Sequence, residues 1–466
     1  MSKGYVNNKI LDGALGAMPA EATGIFGAVG VASIPTDGII ILTDPSDANE
    51  KLGGGPLRDL VVQALSMAKT TVYAVGLPGS TAGTIGAVTK TGTGAGSLTV
   101  SGSPRNEYKV KVTIQESGVL NAAVAVVDVD GVPTKAFTVP AGGTYALANT
   151  GLTLTFAANE TGFVAGDVYE FETTAPVASN AEILAAIDEL LDSKYDYEWI
   201  SIAGVSDKTL WAALATKAEA AEAVYRYIHF KAQARYLVAN ETVDQYVAAL
   251  VGSERGTVVG GRVQVSAAWC INSDPFGEVD RRPGSGHCAG MSAQKDVSEP
   301  VDHVGSSAIS GIVELLPPGL NDGHINALDN AGYETFCQYI GRTGVYITHG
   351  RMFAESTSDY QLEERRRVMD LACKNVRTAQ LNYINSTVAL DAEGNMIGLD
   401  MFTAVTEQVL KNMKDAGRIS DYEFSIDAGQ DILSTEKLTT RIRIIPLGKM
   451  TFIENVISYM NPNLAS

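Results

Sequence analysis

The chain has 466 residues, 45% of them hydrophobic and 19% charged, with 47 glycines and a formal net charge of -18. Such a length predicts roughly two to four domains, and such a composition excludes a disordered chain. The acidic balance excludes a nucleic-acid binder, because phosphate contacts need clustered Lys and Arg, and no run approaches the about 20 apolar residues of a membrane span.

The opening MSKGYVNNKILDGALG lacks the uninterrupted apolar core of a secretory signal, so synthesis in a cytoplasm is the expectation. Residues 1–24 read as an extended, glycine-punctuated arm with a short apolar centre at Ile10 and Leu11. An α/β pattern comes next: a strand within Gly38 to Pro45, a helix from Pro56 to Ala68, and a strand from Thr70 to Leu77. Pro56 suits the first helical turn, where no donor is lost.

From 83 to 177 no helical period survives. Runs such as YKVKVTIQ, AVAVVDVDG, KAFTVPAG, LTLTFAA and VYEFETT alternate in and out between turn residues and read as a small β-sandwich or barrel inserted into a parent domain. Helices then resume. Asn180 is placed to cap AEILAAIDELL, YEWISIAG is a strand, and Ser206 or Asp207 caps a long helix with Trp211, Leu214, Ala218, Ala221, Tyr225 and Ile228 on one stripe. A helix over Thr242 to Leu250 and the strand GRVQVSAAWCI extend the same layer. Residues 272–303 are polar and glycine-rich and read as a long functional or mobile loop.

The last section begins with the strand GVYITHG. A helix from Asp359 to Asn385 carries Leu362, Met369, Val376 and Tyr383 every seven residues, with Ala372 and Ala379 widening the stripe. Its cluster Arg365 to Arg367, directly after Glu363 and Glu364, reads as a solvated or ion-paired face. A helix from Phe402 to Ala416 stops at Gly417, and strands lie near YEFSID and TTRIRIIP. The run TFIENVISYM, separated from the latter by Pro446, Leu447 and Gly448, is an apolar strand that must pair with its own sheet or a neighbour's, since an uncovered edge invites aggregation.

The sequence therefore predicts an α/β and α+β multidomain protein. A split α/β domain (25–82 plus 178–342) is interrupted by an all-β insertion (83–177), and an α+β domain (343–449) comes after it, with extended arms at 1–24 and 450–466.

No catalytic, cofactor or metal residue can be nominated. KLGGGPLRD lacks the Lys-Ser/Thr pair of a phosphate loop, and TGTGAG (Thr91 to Gly96) has no helix behind it. DVDG (Asp128 to Gly131) lacks the further oxygen ligands of a calcium loop and reads as a hairpin turn. His287 beside Cys288, with His303 and His324 beyond, matches no zinc spacing or nucleophile elbow. Cys270, Cys288, Cys337 and Cys373 include no CxxC pair and read as buried free thiols. The rival reading is a cytosolic α/β enzyme with 272–303 as an active-site lid. A surface or adhesion protein would want the secretion signal that is missing.

The segment HINALDNAGYETFCQYIGRTGVYITHGRMFA, then DYQLEERRRVMDLACKNVRTAQLNYIN and RIRIIPLGKMTFIENVISYM, resembles the C-terminal half of contractile tail sheath proteins from phages and phage-like particles such as contractile bacteriocins. The likeness runs through Asn326, Ala327, Leu328, Ala331 and Gly332, then Glu364, Arg365 and Arg366. It is firmest from Ile309 onward; over 20–82 and 178–308 only the α/β layout agrees.

The resemblance implies a structural subunit without enzymatic activity or cofactor, stacked in hexameric rings as a helical homopolymer around a tail tube. Contraction of a metastable lattice would drive the tube through a cell envelope. The implied partners are further copies of the chain, the tail tube protein, and baseplate and tail terminator proteins, with no nucleic acid and no direct membrane insertion. Assembly would occur in a host bacterial cytoplasm, for a virion tail or a released phage-tail-like particle. Inserted domains would face outward and the C-terminal domain would face the tube.

Terminal arms would exchange strands between subunits by β-augmentation. The candidates are Tyr5, Val6, Ile10 and Leu11 in the first arm; Arg441, Ile442, Arg443 and Ile444 in the late strand; and Phe452, Ile453, Val456, Ile457 and Tyr459 in the last run. Lys411, Lys414 and Arg418 along one late helix are the candidate tube-facing residues; a solvated face is the alternative.

Overall fold

A computed structural model describes residues 23–158, 162–427 and 429–459; the candidates Tyr5, Val6, Ile10 and Leu11 lie outside them. The chain begins with β1 (Phe26–Val31), β2 (Ile40–Leu42), α1 (Pro45–Leu52), α2 (Pro56–Met67) and β3 (Val72–Leu77). Asp44 caps α1 by accepting the Ser46 N–H at 2.8 Å, and Pro56 takes the first position of α2.

Nine strands come next: β4 (Thr89–Thr91), β5 (Ser97–Gly102), β6 (Lys109–Glu116), β7 (Val124–Val129), β8 (Val132–Pro133), β9 (Phe137–Thr138), β10 (Thr144–Leu147), β11 (Leu152–Ala157) and β12 (Val168–Glu172). They form two sheets, β10-β11-β5 and β4-β12-β6-β7-β8, with β9 also on β7. Val112, Val127, Leu154, Phe156 and Tyr169 share the core between them. The DVDG sequence is the turn between β7 and β8, with Asp130 at φ 53° and Gly131 at φ 84°, the two positive values a tight hairpin turn demands.

The α/β layer resumes with α3 (Asn180–Asp192), β13 (Trp199–Val205), α4 (Lys208–Ala223), β14 (His229–Gln233), α5 (Val243–Ala249) and β15 (Val263–Ser266). β16 (Trp269–Ser273), β17 (Val279–Pro283), α6 (Ser285–Gln294), β18 (Ile312–Leu316) and α7 (Asp322–Asn330) lead to three short strands, β19 (Tyr333–Glu334), β20 (Phe336–Cys337) and β21 (Tyr346–Ile347). The last elements are α8 (Glu363–Gln380), β22 (Ala389–Leu390), β23 (Met396–Ile397), α9 (Asp400–Asp415), β24 (Asp421–Ile426), α10 (Ile432–Thr435) and β25 (Thr440–Ile445).

The central sheet has the order β19-β15-β14-β13-β1-β3-β2, parallel except for β2. Its apolar side chains split into two cores. One, with Ile187, Trp211, Leu214 and Tyr246, lies under α3, α4 and α5. The other, with Phe26, Leu60, Val61 and Trp199, lies under α2 and α6. Both faces of a parallel sheet are thereby kept from water.

Several expectations need correction. Ser179, not Asn180, caps α3: its Oγ accepts the Glu182 N–H at 3.3 Å while the Glu182 carboxylate accepts the Ser179 N–H at 2.7 Å. Asp207 caps α4, accepting from Leu210 N at 2.9 Å. The stripe assigned to α4 runs too far, because the helix ends at Ala223, Tyr225 turns outward at φ 65°, and Ile228 already belongs to the approach to β14. GRVQVSAAWCI is two strands, β15 in the central sheet and β16 in the separate sheet β17-β16-β18. Of the four free thiols three are buried, but Cys373 on α8 is only half-buried.

The largest correction concerns 272–303. It is not a loop: it holds the β16–β17 hairpin and the buried helix α6. Gly277 turns the hairpin at φ 89°, but the glycines of α6 permit close packing rather than turning. A Cβ on Gly286 would sit 2.7 Å from the Leu60 carbonyl oxygen, and one on Gly290 would sit 2.9 Å from the Ala64 Cα, so α6 lies directly on α2 only because both positions lack one. The enzyme reading loses its lid.

Candidate assembly interface

Two features of the C-terminal third stand out, one buried and one exposed. The buried one is α8. Its sequence places Glu363, Arg366, Arg367 and Asp370 at i, i+3, i+4 and i+7, one face of a helix. All four are buried, whereas Leu362, Met369, Val376 and Tyr383 of the heptad are only half-buried. A charged face thus packs inward beside the buried Val368, Leu371 and Ala372, which corrects the heptad stripe; of the two readings of the arginines, the ion-paired one holds for Arg366 and Arg367, while Arg365 is exposed.

The partner surface explains how this is possible. Alternation on β14 turns Phe230 and Ala232 to the apolar core and His229, Lys231 and Gln233 to the other face. Lys231 Nζ lies 2.9 Å from Glu363 Oε1 and donates to Ser292 Oγ of α6 at 2.6 Å. Ser292 Oγ in turn donates to Glu363 Oε2 at 3.0 Å. Arg367 Nε donates to Glu198 at 2.6 Å, and Arg262 Nη1 of the β15 approach donates to Asp370 at 2.7 Å. Each buried charge meets an opposite one, the condition for tolerating it.

Burial alone would raise the Glu363 carboxyl, but Lys231, His229 and Arg367 hold it well below the usual carboxylate range. Burial pushes Glu334 of β19 up to about 7, against the pull of Lys231. His229 is lowered by burial despite the nearby Glu363, and so stays neutral at physiological pH. Sequence reading missed this seam. The signals available were the i, i+3, i+4, i+7 charges on α8 and polar residues at every second position of HFKAQ.

The exposed feature is the hairpin β24–β25 with the chain beyond it. Tyr422 faces Ile444, Phe424 faces Ile442 and Glu423 faces Arg443 across the pair. Tyr422, Phe424, Ile442 and Ile444 form the half-buried inner face, with Tyr422 and Ile444 packed against Met413 and Ile419. Arg441 and Arg443 point outward, the latter 3.3 Å from Glu423. Among the described residues neither outer edge of this hairpin meets a third strand. Past it lies an exposed apolar run: Phe452 is 92% exposed, Ile453 75%, Val456 91%, Ile457 90% and Tyr459 fully exposed.

On α9, Lys411 is exposed and Lys414 pairs with Asp421 at 2.8 Å, but Arg418 lies past the helix end at Asp415 rather than along it, and its Nε reaches both oxygens of Asp296 at 3.1 Å. The three lie in one region, but two already meet carboxylates of the same chain.

The weak motifs stay apart. His287 Nε2 meets Asn272 Oδ1 at 2.9 Å and burial lowers the ring to about 4, while burial raises the adjacent Cys288 thiol. His303 bonds Ser306 and His324 bonds Asp244. Among the described residues no group of three His, Cys, Asp or Glu side chains is arranged to hold a metal, and no helix is long and apolar enough to cross a membrane. A cavity of about 220 Å³ does open beyond the C-terminal ends of β1 and β13, where α/β enzymes place ligands. Its most buried cation, Arg282, is engaged by Asp59 at 2.8 Å, Asp280 at 2.9 Å and Asp130 at 3.1 Å, so it is committed to joining the β-strand insertion to α2.

The fold as a whole, a mixed α/β arrangement with several sheets, is similar to that of contractile sheath proteins. The sheath in a contracted extracellular contractile injection system, PVC, superposes with a TM-score of 0.57 at 10% identity, covering 99% of each chain. A sheath tail protein from Desulfitobacterium hafniense gives 0.50 at 16% identity, covering 96% of this chain and all of its own. A chain of the contracted anti-feeding prophage baseplate gives 0.51 at 12% identity, covering 99% and 98%. The chain belongs to the DUF2586 family, matching its N-terminal domain over 4–351 and its C-terminal domain over 359–464. No curated protein matches it by sequence.

Proposed function

We propose that this chain is a structural, non-enzymatic subunit of a contractile sheath. It polymerises in stacked hexameric rings around a tail tube, and contraction of the lattice drives the tube through a target envelope. The observation that carries the reading is the exposed apolar run from Phe452 to Tyr459 beside a hairpin whose edges are unpaired among the described residues. Burying five such side chains gains about 2 kcal/mol each. Ordering the eight residues that hold them costs a similar total, about 1–2 kcal/mol apiece. Side-chain burial alone therefore leaves little net gain, and strand pairing with a neighbour's edge supplies the backbone hydrogen bonds that tip the balance.

In this reading 1–24 and 450–466 are linking arms, the insertion at 83–177 faces outward, and 343–449 faces the tube through the surface of Lys411, Lys414 and Arg418. Tail tube, baseplate and terminator proteins are the further partners. The lattice forms in a bacterial cytoplasm and becomes part of a virion tail or phage-tail-like particle. Likeness to sheath folds over nearly the whole chain supports it, as does the commitment of His287, His303, His324 and Arg282 to partners within the chain. Electron microscopy of the purified chain tests it: long tubes or heterogeneous polymer are expected, and a small discrete oligomer contradicts it.

A further inference from the structure

Between β25 and the exposed run the chain is held to its own body. The Ser420 N–H donates to the Ile445 carbonyl at 2.8 Å, and Ser420 Oγ donates to the Pro446 carbonyl at 3.0 Å. Pro446 and Leu447 border a cavity with Tyr360, Val368 and Met369 on the α8 side. Lys449 Nζ then lies 2.9 Å from Asp302 Oδ2 and 3.1 Å from Glu364 Oε1. These three side chains are 16, 8 and 11% exposed, yet Met450, the next residue, is 87% exposed. The boundary between held and released chain falls within one residue.

We infer that Lys449 anchors the arm: it bridges Asp302 and Glu364 so that only the chain from residue 450 onward is free to reach a second copy of this protein. This rests on the reading of the last run as an inter-subunit connector, and it names the residue that sets where that connector starts.

The local charge count makes the bridge hard to release. Among the described residues Asp302 has one further basic neighbour, His349 Nε2 at 3.6 Å, and that ring is already bonded through Nδ1 to Asp329 at 2.8 Å. Asp302 Oδ1 and Glu364 Oε2 are buried without hydrogen-bond partners among the described residues, so acceptors already outnumber donors here. Withdrawing Lys449 would leave two largely buried carboxylates side by side, far costlier than breaking an exposed pair. Lysine suits the task, since three donors on one flexible stem can serve two carboxylates.

Anchoring also fixes reach. Phe452 lies at most about 10 Å from the Lys449 Cα and Tyr459 at most about 33 Å. An arm released back to Ile445 gains about 13 Å of slack, and the effective concentration of its tip at a neighbour's edge falls.

The test uses the full chain with K449M, K449R, the triple variant K449M/D302N/E364Q, and a truncation lacking 451–466. Polymerisation is followed by light scattering, and amide exchange is followed at 447–450. K449M should stay folded, exchange faster at 447–450, and raise the critical concentration for polymerisation about tenfold; K449R should behave as wild type. The triple variant has no stranded carboxylates but no anchor, and should polymerise as poorly as K449M. Wild-type polymerisation by K449M, or its restoration in the triple variant, overturns the inference, the latter by reducing Lys449 to a neutralising charge. A truncation that still polymerises refutes the connector reading itself. A truncation that fails beside an unaffected K449M refutes only the anchor.

Discussion

The seam beneath α8 and the run beyond β25 invert the usual partition of residues in opposite ways. The seam takes Lys231, Glu363, Arg367, Arg262 and Asp370 out of water and matches each within the chain. The run leaves Phe452, Ile453, Val456, Ile457 and Tyr459 in water. Buried charge that is fully paired is a self-contained solution. Exposed hydrocarbon beside an open sheet edge is half of one, and in the proposed assembly its other half lies on another molecule. On the proposed function, the difference separates what holds the subunit together from what holds subunits to each other.

That separation predicts opposite outcomes for substitutions in the two places. F452D/I457D should abolish long polymers while changing monomer stability by less than about 0.5 kcal/mol, as read by sedimentation and thermal melting. A drop of many degrees would mean that the run packs on its own body and the contrast is false. E363Q should do the reverse, costing about 3–5 kcal/mol in denaturant titration by stranding Lys231.

Acid sharpens the same point. A carboxyl held below its ordinary value contributes stability above about pH 4.3, so Glu363 stabilises at neutral pH and loses its contribution only as pH falls through its lowered value. E363Q should therefore show a flatter acid limb than wild type. Glu334 has the other sign: raised to about 7, it favours the fold when protonated and costs stability as pH rises toward that value. Between pH 5 and 8 wild type should lose on the order of 2–3 kcal/mol relative to E334Q. The smallest effect belongs to α9. K411E/K414E should melt as wild type does, and a loss of tube binding would assign that surface to the tube.

Much of the layout was legible because its signals were local. Strict alternation marked β6, Pro56 opened α2, Gly417 closed α9, and the runs at YEFSID and TTRIRIIP paired as a hairpin. What failed had local signals with two meanings. Gly286 and Gly290 looked like loop residues, but their missing Cβ atoms let α6 rest on α2. HFKAQ drew no strand reading because its polar positions hid a central strand. The cluster from Glu363 to Arg367 could be read only as solvated or ion-paired, because the partners that bury it with Asp370, namely Lys231, Glu198 and Arg262, lie about a hundred residues or more away. The exposed run was legible for the opposite reason: an apolar run without a partner is visible in the sequence alone, although 451–459, read there as a strand, forms no strand within this subunit.

The central claim is that the last run finds its partner on another copy. A cryo-electron microscopy reconstruction of the assembled polymer tests it most directly. Residues from 451 onward are expected as a strand on an outer edge of a neighbour's β24–β25 hairpin, with Phe452 and Ile457 buried there and Lys449 still between Asp302 and Glu364. A polymer in which this run folds back onto its own subunit, or stays unpaired in solvent, would contradict it.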